Sequence, residues 1–294
     1  MIYLIIAIAC SAGVFVVMRL FERFHLDNHQ ALSWNYLVAS AIGFLSCGQH
    51  ITVGEIVGEP WFKLSILTGF WFIFTYLLMA RSTQRSGVTV TSLSSKLSVV
   101  LPTIAGVVLF HERISLTAGI GILLALVALV LVIGGGKKGT SGATALKEGR
   151  HWVVVLLPVL IFFGTGIGDI LMKLTEQLNK ADDMTFMIAF IYFVALLFGV
   201  VIVAYDMVTG KSKWAWKNAL GGLVLGLVNF FSTFNIYQAM RVFDNVVLFP
   251  VYNIGVVGLT ALIGLALFKE RLTWKNYLGM AIALVAVILI TFKP

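Results

Sequence analysis

The chain has 294 residues, of which 60% are hydrophobic and only 12% are charged. Soluble domains are about half apolar and about a quarter charged, so this composition excludes an ordinary soluble domain. The formal net charge of +8 does not indicate a nucleic-acid partner, because the basic residues lie mostly between apolar blocks and form no continuous patch. Cys10 and Cys47 lack redox spacing, and the five histidines lack metal-ligand spacing. We therefore expect a polytopic membrane protein without cofactor, metal or nucleic acid.

Ten apolar segments follow one another along the chain, each close to the ~20 residues that a helix needs to cross the hydrocarbon core. They lack the alternation of barrel strands, and backbone groups in lipid must be satisfied internally, so helices are predicted. The first segment has no basic region before it and is predicted to be a retained span rather than a signal peptide. The predicted spans are 2–21, 31–48, 61–80, 87–110, 115–133, 152–174, 184–205, 217–240, 244–268 and 272–292.

A glycine-rich, basic segment at 134–151 divides these spans into two groups of five. Its composition predicts a flexible linker. Late in each of the two halves, 1–133 and 152–294, the same residues recur at a constant offset of 158. The repeated residues are Phe110, Glu112, Arg113, Gly121, Ala125, Leu126, Val127, Ala128 and Leu131, which match Phe268, Glu270, Arg271, Gly279, Ala283, Leu284, Val285, Ala286 and Leu289.

The duplication predicts the topology of the chain. With five spans in each half, the second copy must enter the membrane in the opposite sense to the first. We therefore predict an all-α membrane protein with ten transmembrane helices in two inverted five-helix repeats. Inverted repeats are typical of secondary transporters, whose substrate site lies near the bilayer midplane between the repeats. Duplication without transport is the alternative.

A short motif ends the fourth and ninth spans. It has the form Phe-x-Glu-Arg-[Ile/Leu] and contains His111-Glu112-Arg113-Ile114 in the first half and Lys269-Glu270-Arg271-Leu272 in the second. With the five-plus-five duplication, this motif resembles the drug/metabolite transporter superfamily, EamA type, over essentially the whole chain. The resemblance implies an alternating-access carrier for small organic solutes in the inner or plasma membrane. The family's second span often carries an arginine followed by an aromatic residue, a place that Asn35-Tyr36 takes here.

The distribution of lysine and arginine predicts the orientation. The loops after spans one, three, five, seven and nine hold fourteen of these residues, and the other side holds six. The positive-inside rule places the richer side in the cytoplasm and both termini outside. The family resemblance implies both termini inside, so the two arguments disagree.

Lys96 lies near the middle of the predicted fourth span, where an ionisable group indicates function by default. Ser92 and Ser95 place hydroxyls close to it along the helix. A lysine amid hydroxyls could hold a carboxylate or phosphate, which favours an anionic or zwitterionic solute, such as an amino acid-like one. It could instead pair with Asp169, or with a backbone carbonyl that a kink at Pro102 exposes.

Polar and aromatic residues of other spans complete the predicted substrate site. Asn253 lies within one residue of the position that mirrors Lys96 in the second half. Such groups usually face the bundle interior, where some contact substrate and others only join helices. Besides Lys96, Ser92 and Ser95, the candidates are Asn35, Tyr36, Trp71, Tyr76, Asn229, Thr233, Tyr237, Tyr252 and Asn253.

The acidic residues suggest coupling and structural roles. Asp169 is interpreted as the only deep carboxylate and as the candidate for proton coupling, although it could simply neutralise Lys96 or Lys173. For Glu112 and Glu270 we expect an ion pair with the neighbouring arginine, which orders a tight turn, rather than a coupling-ion site.

Other functional classes find less support in the sequence. No nucleophile–base pair, metal cluster or paired carboxylate stands at depth, so neither an enzyme nor a catalytic residue is predicted. The expected partners are a small-molecule substrate, the lipid bilayer and a coupled proton or exchanged solute. A channel, or a structural membrane protein without carrier activity, is the alternative.

Overall fold

A computed structural model describes residues 1–47, 57–110, 115–134, 151–179, 184–240, 242–243 and 245–291. These residues form eleven α-helices and no β-strand. The helices are α1 (Ile2–Arg23), α2 (Asn28–Ser46), α3 (Phe62–Arg85), α4 (Val88–Leu97), α5 (Val100–Phe110), α6 (Leu116–Gly134), α7 (His151–Leu178), α8 (Met184–Val208), α9 (Trp216–Met240), α10 (Asn245–Ala266) and α11 (Trp274–Thr291).

Nine of the predicted spans coincide with one helix each, and the fourth consists of two helices, α4 and α5. Pro102 has no N–H, and its ring crowds the carbonyl group four residues earlier, which belongs to Ser98. The helix is interrupted there, and the Leu101 N–H donates to the Ser98 carbonyl in a turn at 2.9 Å. The kink expected at Pro102 is therefore a break at Ser98 and Val99, and Lys96 lies in the last turn of α4.

Seven helical segments of the described chain are long and apolar enough to cross a membrane, with α4 and α5 counted as one segment over 88–108. Helix α2 is not among them, since it carries polar residues that are buried inside the protein, such as Gln30, Ser33 and Asn35. These results confirm the all-helical fold. Ten spans in two inverted repeats stay a prediction.

Contacts divide the chain into two compact units. The first unit consists of Met1–Arg19, Leu78–Ile167 and Phe231–Pro294. In its core α6 packs on α11, and α4 packs on α10. Fully or almost fully buried alanines let the backbones of α6 and α11 approach closely. These alanines are Ala125, Ala128, Ala283 and Ala286, which are two of the pairs repeated in the sequence.

The second unit consists of Leu20–Leu77 and Gly168–Phe230, and in it α2 packs on α8. An aromatic core cluster that includes Trp61 and Phe186 stabilises it. Each compact unit therefore contains residues from both halves of the sequence. The boundaries 1–133, 134–151 and 152–294 describe the duplication and its linker, and they stay a prediction.

Candidate functional site

Lys96 is half-buried in the first unit and packs against an aromatic ring. Its Nζ lies 4.4 Å from the centroid of the Tyr252 ring on α10. An ammonium group over a tyrosine face is attracted by the ring quadrupole. No carboxylate of the described residues forms an ion pair with Lys96. The cation is thus held by a π-face, which leaves its N–H donors available to an anion.

Other contacts of α4 with α10 fix this arrangement. The hydroxyls of Ser92 and Thr260 are 2.7 Å apart, and both side chains are fully buried. The Ser92 hydroxyl therefore connects α4 to α10. Joining helices was the alternative to substrate contact for polar groups in the bundle interior. Asn253, adjacent to Tyr252, is buried as well. The duplication predicted Asn253 within one residue of the position that mirrors Lys96. In the structure the neighbouring residue, Tyr252, contacts Lys96.

Ser95 lies beside Lys96, next to the break between α4 and α5. It is half-buried, and its carbonyl group accepts a hydrogen bond from Ser98 Oγ at 2.5 Å. Ser94 is fully buried, and its hydroxyl has no partner within the described chain. The segment around Lys96 is therefore rich in hydroxyls, as the sequence suggested.

Glu270 caps the N-terminus of α4. Its Oε1 accepts from the Val88 N–H at 2.6 Å, and its Oε2 accepts from the Thr89 N–H at 3.2 Å and the Thr89 hydroxyl at 2.7 Å. Gly87 stands at the N-cap position with a φ of +98°, and it has no side chain to serve as a cap. Within the described chain Glu270 forms no ion pair with Arg271, which is exposed. The expected Glu–Arg pair is wrong for this copy, because unsatisfied helix N–H groups attract the carboxylate more strongly than an exposed arginine does. Glu112 lies outside the described residues.

A cluster of three tyrosines and two asparagines lies in the second unit. Tyr76 donates to Asn229 Oδ1 at 2.9 Å, and Asn229 Nδ2 donates to Asn35 Oδ1 at 3.3 Å. The Tyr36 ring lies 5.6 Å from the Tyr76 ring and 5.9 Å from the Tyr192 ring, measured between centroids. The structure therefore brings together four predicted site residues and adds Tyr192. The sequence analysis passed over Tyr192 because a single tyrosine in an apolar span carries no signal of its own.

Two buried polar atoms of this cluster have no hydrogen-bond partner among the described residues. They are Asn35 Nδ2 and the Tyr36 hydroxyl. Both residues are fully buried. Because buried polar groups are nearly always paired, such orphaned atoms indicate a place for a polar ligand or a water molecule.

The remaining candidates are more dispersed. Trp71 on α3 lies beside Phe74, with the ring centroids 5.7 Å apart, and Thr233 on α9 is half-buried. Asp169 is exposed on α7. The side chain of Tyr237 lies outside the described residues.

The sequence analysis missed a buried carboxylate, Asp206. Its Oδ2 lies 2.5 Å from His29 Nδ1 in the second unit. Asp206 is only 9% exposed, whereas Asp169 is exposed. The seventh span was predicted to end at residue 205, whereas α8 continues to Val208 and carries Asp206 with it. Asp206 therefore lies one residue beyond the predicted end of the seventh span, which is why the sequence analysis did not count it as a carboxylate within a span.

Comparison with known proteins supports the family resemblance. The model of the EamA-like transporter family matches residues 1–134. The resemblance to EamA-type transporters is confirmed. An uncharacterized protein of Haemophilus influenzae is 27% identical over 293 residues, which cover 97% of this chain and 95% of that protein. With the apolar helices, the EamA match supports a multi-pass membrane protein of transporter type.

A protein of known crystal structure shares the fold. It superposes with a TM-score of 0.59 at 11% sequence identity, over 97% of this chain and 96% of that one. At this level of identity the likeness shows the fold alone.

Proposed function

We propose that this EamA-type protein carries a small anionic or zwitterionic organic solute across the cell membrane by alternating access, and that Lys96 binds the anionic group. The observation that carries the proposal is the placement of Lys96. It stands inside a candidate membrane span, at the break between α4 and α5, with an aromatic face and no carboxylate as its partner in the described chain.

The electrostatics of this position favour an anion. A charge inside a membrane span is costly unless it is paired or hydrated, and the π-face of Tyr252 compensates only part of the cost. A carboxylate or phosphate on the solute would supply the missing counter-charge and accept charge-assisted hydrogen bonds. Binding at Lys96 is therefore strongest for solutes that carry such a group.

The cluster of Asn35 and Tyr36 supports a polar solute. Its two orphaned atoms, Asn35 Nδ2 and the Tyr36 hydroxyl, are a donor and a group that can donate or accept. A ligand with hydroxyl or carbonyl groups would satisfy both. A purely apolar solute would leave them unpaired, at a cost of about 1–3 kcal/mol each.

The broken fourth span supports a carrier. Discontinuous helices that expose their ends inside the membrane are typical of the binding sites of secondary transporters with inverted repeats. On this proposal Asp169 takes part in coupling to protons or to an exchanged solute. A channel, or a structural membrane protein, remains the competing hypothesis, and an exchange measurement separates it from a carrier.

The proposal is tested by ligand screening followed by uptake. Purified protein is screened by thermal shift against amino acids, organic acids, sugar phosphates and nucleosides, and the stabilising solutes are then offered as radiolabelled substrates to proteoliposomes. We expect stabilisation by acidic or zwitterionic solutes and loss of their uptake in Lys96→Ala.

Lys63→Ala is the matched control, since Lys63 is an exposed lysine near the start of α3. It should keep normal uptake. Full uptake by Lys96→Ala, or stabilisation by cationic solutes alone, would contradict the proposal.

A further inference from the structure

The second unit has an apolar groove between α2 and α8. Its volume is about 380 Å³, and it is lined by Gln30, Ser33, Trp34, Leu37, Leu196, Val200, Val203, Ala204, Met207 and Trp214. Its two polar side chains are already engaged within the protein. Gln30 Nε2 donates to Ser212 Oγ at 2.6 Å and to the Lys213 carbonyl at 2.9 Å, and Ser33 Oγ donates to the His29 carbonyl at 2.8 Å. Apart from the indole N–H groups of Trp34 and Trp214, the groove therefore offers an apolar wall.

The groove has the depth of one membrane leaflet. On α2 its lining begins near the N-terminus of the helix and reaches Leu37, the middle residue of Asn28–Ser46. On α8 it begins near the C-terminus, at Met207, and reaches Leu196, the middle residue of Met184–Val208. The stretch from Leu196 to Met207 is about 16 Å long at about 1.5 Å per residue. This length is about half of the ~30 Å hydrocarbon core.

Aromatic and basic residues surround the mouth of the groove. The rings of Trp34 and Trp214 are 6.0 Å apart, and Trp216 lies 5.9 Å from Trp214. Tryptophan favours the level of the lipid headgroups. Lys213 adjoins Trp214 in the chain, and its backbone carbonyl is bonded to Gln30 of the lining. The mouth thus lies at the membrane–water interface.

Three exposed lysines, Lys211, Lys213 and Lys217, are near Trp214 in the chain, between the end of α8 and the first turn of α9. Lys211 Nζ lies 4.8 Å from the centroid of the Tyr205 ring, and Lys217 Nζ donates to the Phe24 carbonyl at 3.4 Å. The carboxylates nearby have partners of their own. Asp27 caps α2 by accepting from the His29 and Gln30 N–H groups, and it also accepts from Ser212 Oγ. Asp206 is paired with His29. The lysines can therefore attract an external anion.

We propose that this groove is a binding site for an anionic phospholipid, with one acyl chain between α2 and α8 and the phosphate group on Lys211, Lys213 and Lys217. Leaflet depth, an apolar wall, a tryptophan mouth and a lysine cluster together match such a lipid. The groove and the solute contact at Lys96 have no residue in common, so the inference does not depend on the proposed substrate.

Native mass spectrometry of the full chain in detergent tests the site with dioleoyl phosphatidylglycerol and dioleoyl phosphatidylcholine, which share their acyl chains. We expect the wild type to retain at least about five-fold more phosphatidylglycerol, since a polybasic cluster favours anionic lipid. Replacing Lys211, Lys213 and Lys217 by Gln should lower phosphatidylglycerol binding to the level of phosphatidylcholine. Ala204→Trp, which fills the groove, should lower the binding of both lipids.

Matched variants separate this site from general attraction to lipid. Replacing the exposed Lys63, Lys269 and Lys275 by Gln removes the same charge elsewhere, and Ala41→Trp adds the same bulk to an exposed position of α2 outside the groove. Both should bind lipid as the wild type does. Equal retention of the two lipids by the wild type, or equal losses in the control lysine variant, would overturn the proposal. Because the lysine variants leave the helices unchanged, they decide the question even if Ala204→Trp fails to fold. A folded Ala204→Trp variant could also bind lipid normally and yet lose solute uptake. This result would assign the groove to the solute and overturn the proposed lipid site.

Discussion

At the scale of single residues, the contact between Lys96 and Tyr252 connects the fold to the proposed function. The distance of 4.4 Å from Nζ to the ring centroid suits a cation–π interaction. Such contacts contribute from about 0.5 to 2 kcal/mol, depending on desolvation. A cation held against a ring keeps one orientation, and a site that is already oriented binds its ligand at a lower entropic cost.

This contact predicts different outcomes for two substitutions of Tyr252. Tyr252→Phe keeps the π-face and should leave the KM for uptake within about two-fold of wild type. Tyr252→Leu removes it and should raise KM by about five-fold, which corresponds to about 1 kcal/mol. The measurement is concentration-dependent uptake into proteoliposomes. If the phenylalanine variant lost as much affinity as the leucine variant, the hydroxyl and not the ring would be the important group.

Residues differ in how well the sequence reveals them. Lys96 is visible because a charge inside an apolar run stands out locally. The pair of His29 and Asp206 is separated by 177 positions, and each partner lies near a helix end, where a polar residue is ordinary. Its pairing depends on how α2 and α8 pack, which no local pattern encodes.

At the scale of elements, the N-terminus of α4 depends on a carboxylate from a distant segment. Gly87 cannot cap the helix, and Glu270 accepts three hydrogen bonds in its place. Helix caps contribute about 1–2 kcal/mol each, and hydrogen bonds to charged groups about 1.5–3 kcal/mol. Glu270 therefore links the beginning of α4 to the segment that follows α10.

Substitutions at Glu270 and Arg271 separate this role from the ion pair expected from the sequence. Glu270→Ala should lower the free energy of unfolding by about 2 kcal/mol, and Glu270→Gln by less, since an amide oxygen still accepts a hydrogen bond. Arg271→Ala should change it by less than about 0.5 kcal/mol, as is usual for exposed residues. Denaturant titration in micelles measures all three. Equal losses in Glu270→Ala and Arg271→Ala would restore the ion-pair interpretation.

Close contact between α2 and α9 brings the asparagines of the second unit together. A Cβ atom at Gly226 would lie 2.7 Å from the Asn35 carbonyl oxygen and 2.8 Å from Val38 Cβ. Only glycine allows the two backbones to approach this far, as is common where membrane helices pack. The hydrogen bond from Asn229 to Asn35 depends on this approach.

A larger residue at Gly226 should therefore separate the two helices. Gly226→Leu is expected to lower the free energy of unfolding by about 1–3 kcal/mol, the usual range for overpacking. Gly258→Leu is the matched control, since a Cβ atom there meets nothing within 4 Å. The apparent melting temperature in detergent compares the two variants. A control that melts as early as Gly226→Leu would show that helix packing is not the cause.

At the scale of the whole molecule, some properties could be predicted from the sequence and others could not. The helices follow from long apolar runs, and the repeated alanines of α6 and α11 meet in one core. The division into two compact units depends on long-range packing, and it does not follow the boundary between the sequence halves. The break at Ser98 was only partly visible, because proline indicates a disturbance but not how far upstream the helix ends.

Transport by alternating access, as proposed for this protein, is best tested by solute counterflow. Proteoliposomes are preloaded with the unlabelled solute that stabilises the protein most, and the initial uptake of the labelled solute is compared with that of empty vesicles. A carrier must return its binding site across the membrane, so we predict faster initial uptake and a transient accumulation of label in the preloaded vesicles. Identical uptake with and without preloading, followed by simple equilibration, would rule out alternating access and indicate a channel.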